Sequence, residues 1–404
     1  MENIFSLNEL LYFILALPIL FSVLAAANIM SLPILHWGDR LTATLTAIAA
    51  GLMIMQFDPE SPVHEGYFYI DALSLWMLCI ICLLYLAFAW TSKAYLDRDT
   101  NIRYGYLRRF SHLEGRFYAL SHIFVWTMML VVLVDSLGLM WVTVEATTLV
   151  SALLVAFKFT RTSLEAAWKY VMVCTVGICL ALLGTILVYY AQLTALGASQ
   201  PLDWAFLAAH GSDLSPGLAK MAFCFLFVGY GTKVGLAPMH AWLPDAHSEA
   251  PALTSGLLSG ALCICALYVL LRAIVVLMPA VGVDFISSLC IFFGLLTIAL
   301  AVPFVVVQRD VKRMLAYSSM ENFGLLAAGF GLFVPLAAEA SLLHMMNHAL
   351  VKYMLFYTAG TIMETYATKN MMRIHGMMEQ TPRTAMFWLL GIAGILGMPP
   401  MGVF

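Results

Sequence analysis

The stretch "VGYGTKVGLAPMHAWLPDAHSEAP", residues 228–251, begins inside an apolar run, places Lys233 in the middle of it and interrupts it with Pro238 and Pro244. A cation at bilayer depth costs at least ~2.5 kcal/mol on the gentlest insertion scale. Proline removes backbone donors that lipid cannot replace, so a broken span persists only where it is buried in protein or lines a hydrated cavity. A lysine beside a break therefore predicts a functional site within a membrane.

Composition points the same way. Of the 404 residues, 62% are hydrophobic and 11% charged, against roughly 25% charged in soluble domains. Stretches long enough to span, ~20 mostly apolar residues, occur near 10–30, 41–57, 70–92, 117–135, 137–158, 166–192, 219–243, 251–278, 284–307, 313–333, 338–366 and 384–404. This is an all-α polytopic membrane protein with about twelve transmembrane helices. The first run lacks a basic start and is too long for a cleaved signal peptide, so it is read as a retained helix. A net charge of −3 argues against a nucleic-acid partner, and no glycine-rich phosphate loop is present.

Lys and Arg cluster in alternate loops: Arg40, the insertion 91–117, Lys158 with Arg161, Arg309 to Arg313, and Lys369 to Arg383. The loops between them, such as "DPESPVHEG" (58–66), carry none. The positive-inside rule then puts the N-terminus outside, and the expected location is an inner (cytoplasmic) membrane. Only the acidic "PDAHSEAP" (244–251) departs from the pattern. The basic insertion 91–117 reads either as a loop obeying that rule or as a docking surface for a cytoplasmic partner.

Ionisable residues within spans are costly and have to be paired, hydrated or used. Glu145 lies seven residues after Gly138, well inside its span. It is either a neutral acid bonded to Thr143 or Thr147, or the partner of Lys233. His344, His348 and Lys352 recur at i, i+4 and i+8, a spacing that drifts ~40° per step and keeps all three on one broad helix face. They read as a proton wire; two histidines on one face do not suit a haem held between them. Lys169, four residues after Glu165, is an i,i+4 ion pair or a modulator of Lys233. His240, Asp245, His247 and Glu249 form a polar proton entrance or a solvated loop, and their spacing fits no standard zinc pattern. Glu321 serves local bonding or conduction. Cys79 and Cys82 form the sole CxxC and read as packing surface. No metal, disulfide or iron–sulfur cluster is assigned.

"KVGLAPMHAWLPDAHSEAP", "RDVKRMLAYSSMENFG" and "HMMNHALVKYMLFYTAG" resemble the antiporter-like proton-translocating subunits of the complex I superfamily. Among these, "LPDAHSEAPALTSGLLSG", "YSSMENFG" and "NHALVKYMLF" are most similar to the F component of hydrogenase-4, the type found in group 4 membrane-bound nickel–iron hydrogenases such as formate hydrogenlyase. The resemblance, over about residues 70–404, implies inverted five-helix repeats with a broken helix in each. The chain would divide into N-terminal helices and loop (1–116), a first repeat (117–278) and a second (279–404) cut short. It also implies Lys233 paired with Glu145, Lys169 as auxiliary lysine, and His344, His348 and Lys352 on a central hydrophilic axis. Its partners would be other antiporter-like and membrane-anchor subunits, a soluble arm with hydrogenase or dehydrogenase and iron–sulfur subunits, and membrane lipid, with no redox cofactor held here. Subunits of sodium/proton antiporter or bicarbonate-uptake complexes, and a non-conducting scaffold, are the alternatives.

Two positions depart from the pattern. Ile264 stands where many relatives carry a lysine, so water is expected to link Lys233 to His348. The break at Pro399 and Pro400 is not followed by the Lys or Glu that ends the path in relatives, as expected of a truncated chain or a shortened paralogue.

Overall fold

In a computed structural model, residues 6–103, 111–197 and 201–402 are described. The chain runs α1 (Leu7–Ala26), α2 (Leu32–Gln56), a hairpin of β1 (Val63–Glu65) and β2 (Phe68–Ile70), α3 (Ala72–Arg103), α4 (Ser111–Leu133), α5 (Leu137–Val155), α6 (Arg161–Leu196) and the short α7 (Trp204–Ala209). It continues with α8 (Pro216–Val234), α9 (Trp242–Glu249), α10 (Ala252–Leu257), α11 (Cys263–Val281), α12 (Val283–Val307), α13 (Val311–Gly331), α14 (Pro335–Tyr366), α15 (Met377–Gln380) and α16 (Pro382–Ile395). Each expected span has its helix or helix pair. Seven are long and apolar enough to cross a membrane on length and composition alone, among the described residues. α2, α8, α13, α14 and α16 fall outside that group, and three of them carry the ionisable residues singled out above. The centre of the basic insertion, 104–110, lies outside the described residues.

Local sequence explains where helices begin and end. Ser6 and Glu9 form a reciprocal capping box at the start of α1, and Asp310 accepts from the N–H groups of Lys312 and Arg313 at the start of α13. The small antiparallel hairpin was not expected from the apolar periodicity; it turns on Gly66 and tethers through a bridge from Phe68 to Val134.

The break after Lys233 is made by glycine. α8 ends at Gly235, whose φ of 92° suits a residue without Cβ, and the N–H groups of Gly235 and Leu236 return to the carbonyl of Gly231. Other freed groups find protein partners: Trp242 Nε1 donates to Thr232 O at 2.8 Å, and Ala237 N–H donates to Thr297 Oγ1 at 2.9 Å. Irregular backbone is thus satisfied inside the bundle, as membrane depth demands. Pro238 lies in this turn. Pro244 does not break anything: it occupies the first turn of α9, where its missing N–H has no helical partner to lose. Pro399 and Pro400 follow the end of α16.

Close helix approach fixes the frame around Lys233. A Cβ on Gly229 of α8 would sit 2.5 Å from Ala181 N of α6, so these backbones meet through small residues. Between α10 and α11, Leu258–Leu262 form a single π turn, completing one buried span from Ala252 to Val281. π turns of this kind occur frequently at functional sites.

Candidate functional site

Lys233, the second-last residue of α8, is wholly buried. Its Nζ donates to Thr148 Oγ1 of α5 at 2.6 Å and to the Tyr170 hydroxyl of α6 at 2.8 Å. That hydroxyl shares a 2.7 Å hydrogen bond with Ser151 Oγ, and the ammonium lies 5.0 Å from the Tyr170 ring centre. Hydroxyl and ring dipoles take the place of water around the cation, which is what makes its burial tolerable.

Glu145 is not in contact with it. Its Oε1 accepts from Thr175 Oγ1 at 3.3 Å, and its Oε2 is buried with no hydrogen bond. Thr143 and Thr147 donate to the carbonyls of Met140 and Val144 instead, so the neutral-acid arrangement is absent too. Glu145 remains within electrostatic reach of Lys233. Thr148, one helical turn further along α5, fills the contact position expected for the carboxylate.

Lys169 faces the mouth. It pairs with Glu165 at 2.7 Å and with Asp245 at 3.3 Å, half-exposed, and Arg313 also bonds Asp245. Glu249 accepts from Lys369 at 3.0 Å and from Thr162 at 2.8 Å, and Lys369 reaches Asp310 at 3.4 Å. Burial opposes the charge of Lys369, but Glu249 and Asp310 outweigh it and hold the ammonium above the ordinary lysine value. The acidic "PDAHSEAP" is therefore the counter-charge of neighbouring basic loops. Its histidines do other things: His240 is half-buried with Nδ1 unbonded, while His247 is wholly buried with Nδ1 on Leu243 O at 2.8 Å and Nε2 unbonded. The His247 ring faces Phe356 of α14 at 5.7 Å, so His247 points to the interior.

On α14, His344 Nε2 meets Asn322 Oδ1 at 2.8 Å, and its ring centre is 6.3 Å from that of His348. His348 is wholly buried; neither ring nitrogen has a hydrogen bond of good geometry, and the Ser259 backbone lies beside the ring. Lys352, also wholly buried, donates to Leu315 O at 3.1 Å. The three share a face, as their spacing predicts, yet none bonds directly to the next. Glu321 and His344 line one cleft with Ser318 and Asn322. Ser259, in the π turn, and Ser319 of α13 share a 2.7 Å hydrogen bond on the way from the first half to the second.

Sequence reasoning missed the hydroxyl shell, although the run "ATTLVSALL" (146–154) carries polar residues at helical spacing on one face. It also took Lys312 for a loop cation. Lys312 is buried, and its Nζ donates to the carbonyls of Ser248 (3.2 Å) and Ala250, capping the end of α9.

Among the described residues one His/Asp group has ligand atoms within 4.8 Å of one another: His64, Asp135 and Asp203. His64 Nε2 bonds Asp135 Oδ2 at 2.9 Å, and Ala205 N–H donates to Asp135 Oδ1 at 3.1 Å, so Asp135 is satisfied by protein. Burial and the neighbouring Asp135 push the Asp203 carboxyl up. Cys79 and Cys82 are free thiols in no metal-ligating group.

Residues 134–404 match the family described as "NADH:quinone oxidoreductase/Mrp antiporter, TM". The chain is 34% identical to the hydrogenase-4 component F homolog of Methylacidiphilum infernorum over 384 residues, covering 95% of this chain and 79% of that one. It is 29% identical to hydrogenase-4 component B of Escherichia coli K12, covering 87% of this chain and 51% of that longer protein. In fold it resembles a chain of the membrane-bound sulfane sulfur reductase, an archaeal respiratory membrane complex, with a TM-score of 0.84, 21% identity, and coverage of 96% and 78%. The helices, the broken span at Lys233 and these likenesses together make the chain a multi-pass, antiporter-like member of the NADH:quinone oxidoreductase/Mrp antiporter transmembrane family.

Proposed function

We propose that the chain is a proton-translocating subunit of a multisubunit membrane redox complex, a membrane-bound hydrogenase of the formate hydrogenlyase kind. The observation that carries this reading is Lys233: a wholly buried amine at a helix break, held by hydroxyls rather than neutralised by a carboxylate. Such an amine binds and releases a proton according to the charge around it. Glu145, near but not bonded, is the group through which a charge change elsewhere in the complex reaches Lys233.

A released proton moves by way of the Ser259–Ser319 contact to His348, His344 and the cleft at Glu321, with water completing the steps that direct bonds leave open. Unbonded nitrogens on a buried ring are costly in a purely structural role. They suit a ring that exchanges partners during transfer. Protons enter at the mouth formed by Asp245, Glu249 and their basic partners, on the cytoplasmic side, with the N-terminus outside an inner membrane. Redox cofactors belong to partners in the soluble arm, beside sister antiporter-like and anchor subunits.

Purification of the intact assembly, with its partners identified and proton movement measured in sealed vesicles, tests this. Co-purification of a nickel–iron large subunit with redox-driven acidification is the expected result. Cation-antiporter or bicarbonate-uptake subunits in its place, or an assembly that moves no protons, would replace it with one of the alternatives.

A further inference from the structure

Away from Lys233, α2, α3 and α4 enclose a second set of buried ionisable groups. Asp39 and His122 are wholly buried, and His122 Nε2 lies 2.9 Å from Asp39 Oδ1. The other His122 nitrogen, Nδ1, bonds the buried Tyr85 hydroxyl. Ser92 Oγ donates to Asp39 Oδ2 at 2.7 Å, and the Tyr118 hydroxyl donates to Ser92 Oγ at 3.3 Å. His36 Nδ1 meets that Tyr118 oxygen at 2.8 Å, and its Nε2 lies 3.7 Å from Glu114 Oε2.

We propose that this chain of contacts is a second proton route, with the Asp39–His122 pair as its proton-binding site, running from His36 and Glu114 at the helix ends into the bundle. It rests on the reading of the protein as a proton translocator.

The geometry gives the route a direction. His36 and Glu114 lie near the starts of α2 and α4. Asp39 is about 10 Å into α2 and His122 about 16 Å into α4 at 1.5 Å rise per residue. These starts are at the same end as the mouth, since Tyr95, near the close of α3, accepts from Ala252 N–H at the head of α10. Tyr118 donates inward to Ser92, and Ser92 donates to Asp39 at 2.7 Å, its alternative acceptor being Ala89 O of its own helix at 3.0 Å. With His36 protonated, its Nδ1–H passes to the Tyr118 oxygen, the Tyr118 proton to Ser92 and the Ser92 proton to Asp39. One N–H bond is lost at His36 and one O–H gained at Asp39, with no change of oxidation state. Charged groups that face His36 are Glu114, at 3.7 Å, and Asp97, Lys93, Asp39 and Arg40.

Beside the inner end, α3 is tied to α14: the Tyr353 hydroxyl shares a 2.8 Å hydrogen bond with Thr91, the residue before Ser92. Tyr353 directly follows Lys352 on α14. For packing alone, apolar residues of similar volume would generally serve as well as a buried polar pair.

Tyr118→Phe tests the route, because it removes one relay hydroxyl and keeps the ring. Proton movement is measured with a pH-sensitive dye in sealed vesicles containing the intact complex, beside Lys233→Met and the wild type. Tyr118→Phe is expected to cause a partial loss, down to the movement that enters at the mouth of Asp245 and Glu249, with assembly and subunit content unchanged. Ser92→Ala should do the same, and Ser92→Thr, which keeps a hydroxyl, should restore movement.

Loss in Lys233→Met with wild-type movement in both Tyr118→Phe and Ser92→Ala would overturn the route and leave the main reading standing. Loss in Tyr118→Phe with none in Lys233→Met would uphold the route and remove Lys233 from the path. Normal movement in all variants would defeat both. A lowered melting temperature with undiminished movement would show a structural network and overturn the proposal.

Discussion

Lys233 and Tyr170 are joined by a 2.8 Å hydrogen bond between α8 and α6, and Tyr170 passes it on to Ser151 of α5 at 2.7 Å. One phenol thus ties together the three helices that enclose the buried amine. Its ring is packed 4.7 Å from that of Trp242, the residue that also caps the broken end of α8. The phenol that bonds Lys233 therefore also packs against the segment that forms the break.

Tyr170→Phe should leave Lys233 with Thr148 as its hydroxyl partner, while Ser151 keeps its bonds to the carbonyls of Thr147 and Thr148. The loss of hydrogen bonding to a charged group predicts a stability cost of about 1.5–3 kcal/mol. Proton movement should fall while the complex remains assembled. Thermal unfolding of the purified complex and dye-detected acidification check the two parts.

Lys312 and Lys369 separate buried from exposed electrostatics. Lys312→Met leaves the carbonyls at the end of α9 without their donor, and should cost about 1–3 kcal/mol. Lys369→Met removes a half-exposed ion pair, worth about 0–1 kcal/mol. Paired melting curves of the two variants should rank them in that order.

Asp71, just before α3, caps that helix through Ser74 N–H and pairs with Arg272 through two bonds of 2.6 and 2.7 Å. Burial alone would raise its carboxyl, but the bonds and charge of Arg272 outweigh this and hold it below the ordinary value. A depressed carboxyl contributes its full stability above the unfolded value, about pH 4. That contribution disappears as pH falls through the lower folded value. Asp71→Asn should be less stable than wild type at neutral pH, with the difference shrinking on acidification, as read by melting temperature against pH.

The helices and the burial of Lys233 beside a break were legible because burying charge in lipid is costly enough to mark a sequence by itself. Contacts between helices were not. Glu145 and Lys233 are the conspicuous opposite charges, yet Thr148 and Tyr170 make the contact, because hydroxyls one turn away satisfy the amine without neutralising it. Lys312 looked like a loop cation, since its position beside Arg313 obeys the positive-inside rule while its amine turns inward to α9. Pro244 looked like a second break because a sequence does not show that a new helix starts two residues earlier. His36 and Asp39 lie on α2 and His122 on α4, and only the packing of α2, α3 and α4 brings them together.

The central claim is that a proton held at Lys233 is part of translocation, and Lys233→Met in the intact complex addresses it directly. Methionine keeps the length and packing of the side chain and removes the amine. Redox activity and proton movement would be measured in the same sealed vesicles. The expected result is an assembled, redox-competent complex whose proton movement is lost or sharply reduced. Wild-type proton movement in that variant would contradict the claim and make this chain a scaffold beside other subunits that translocate.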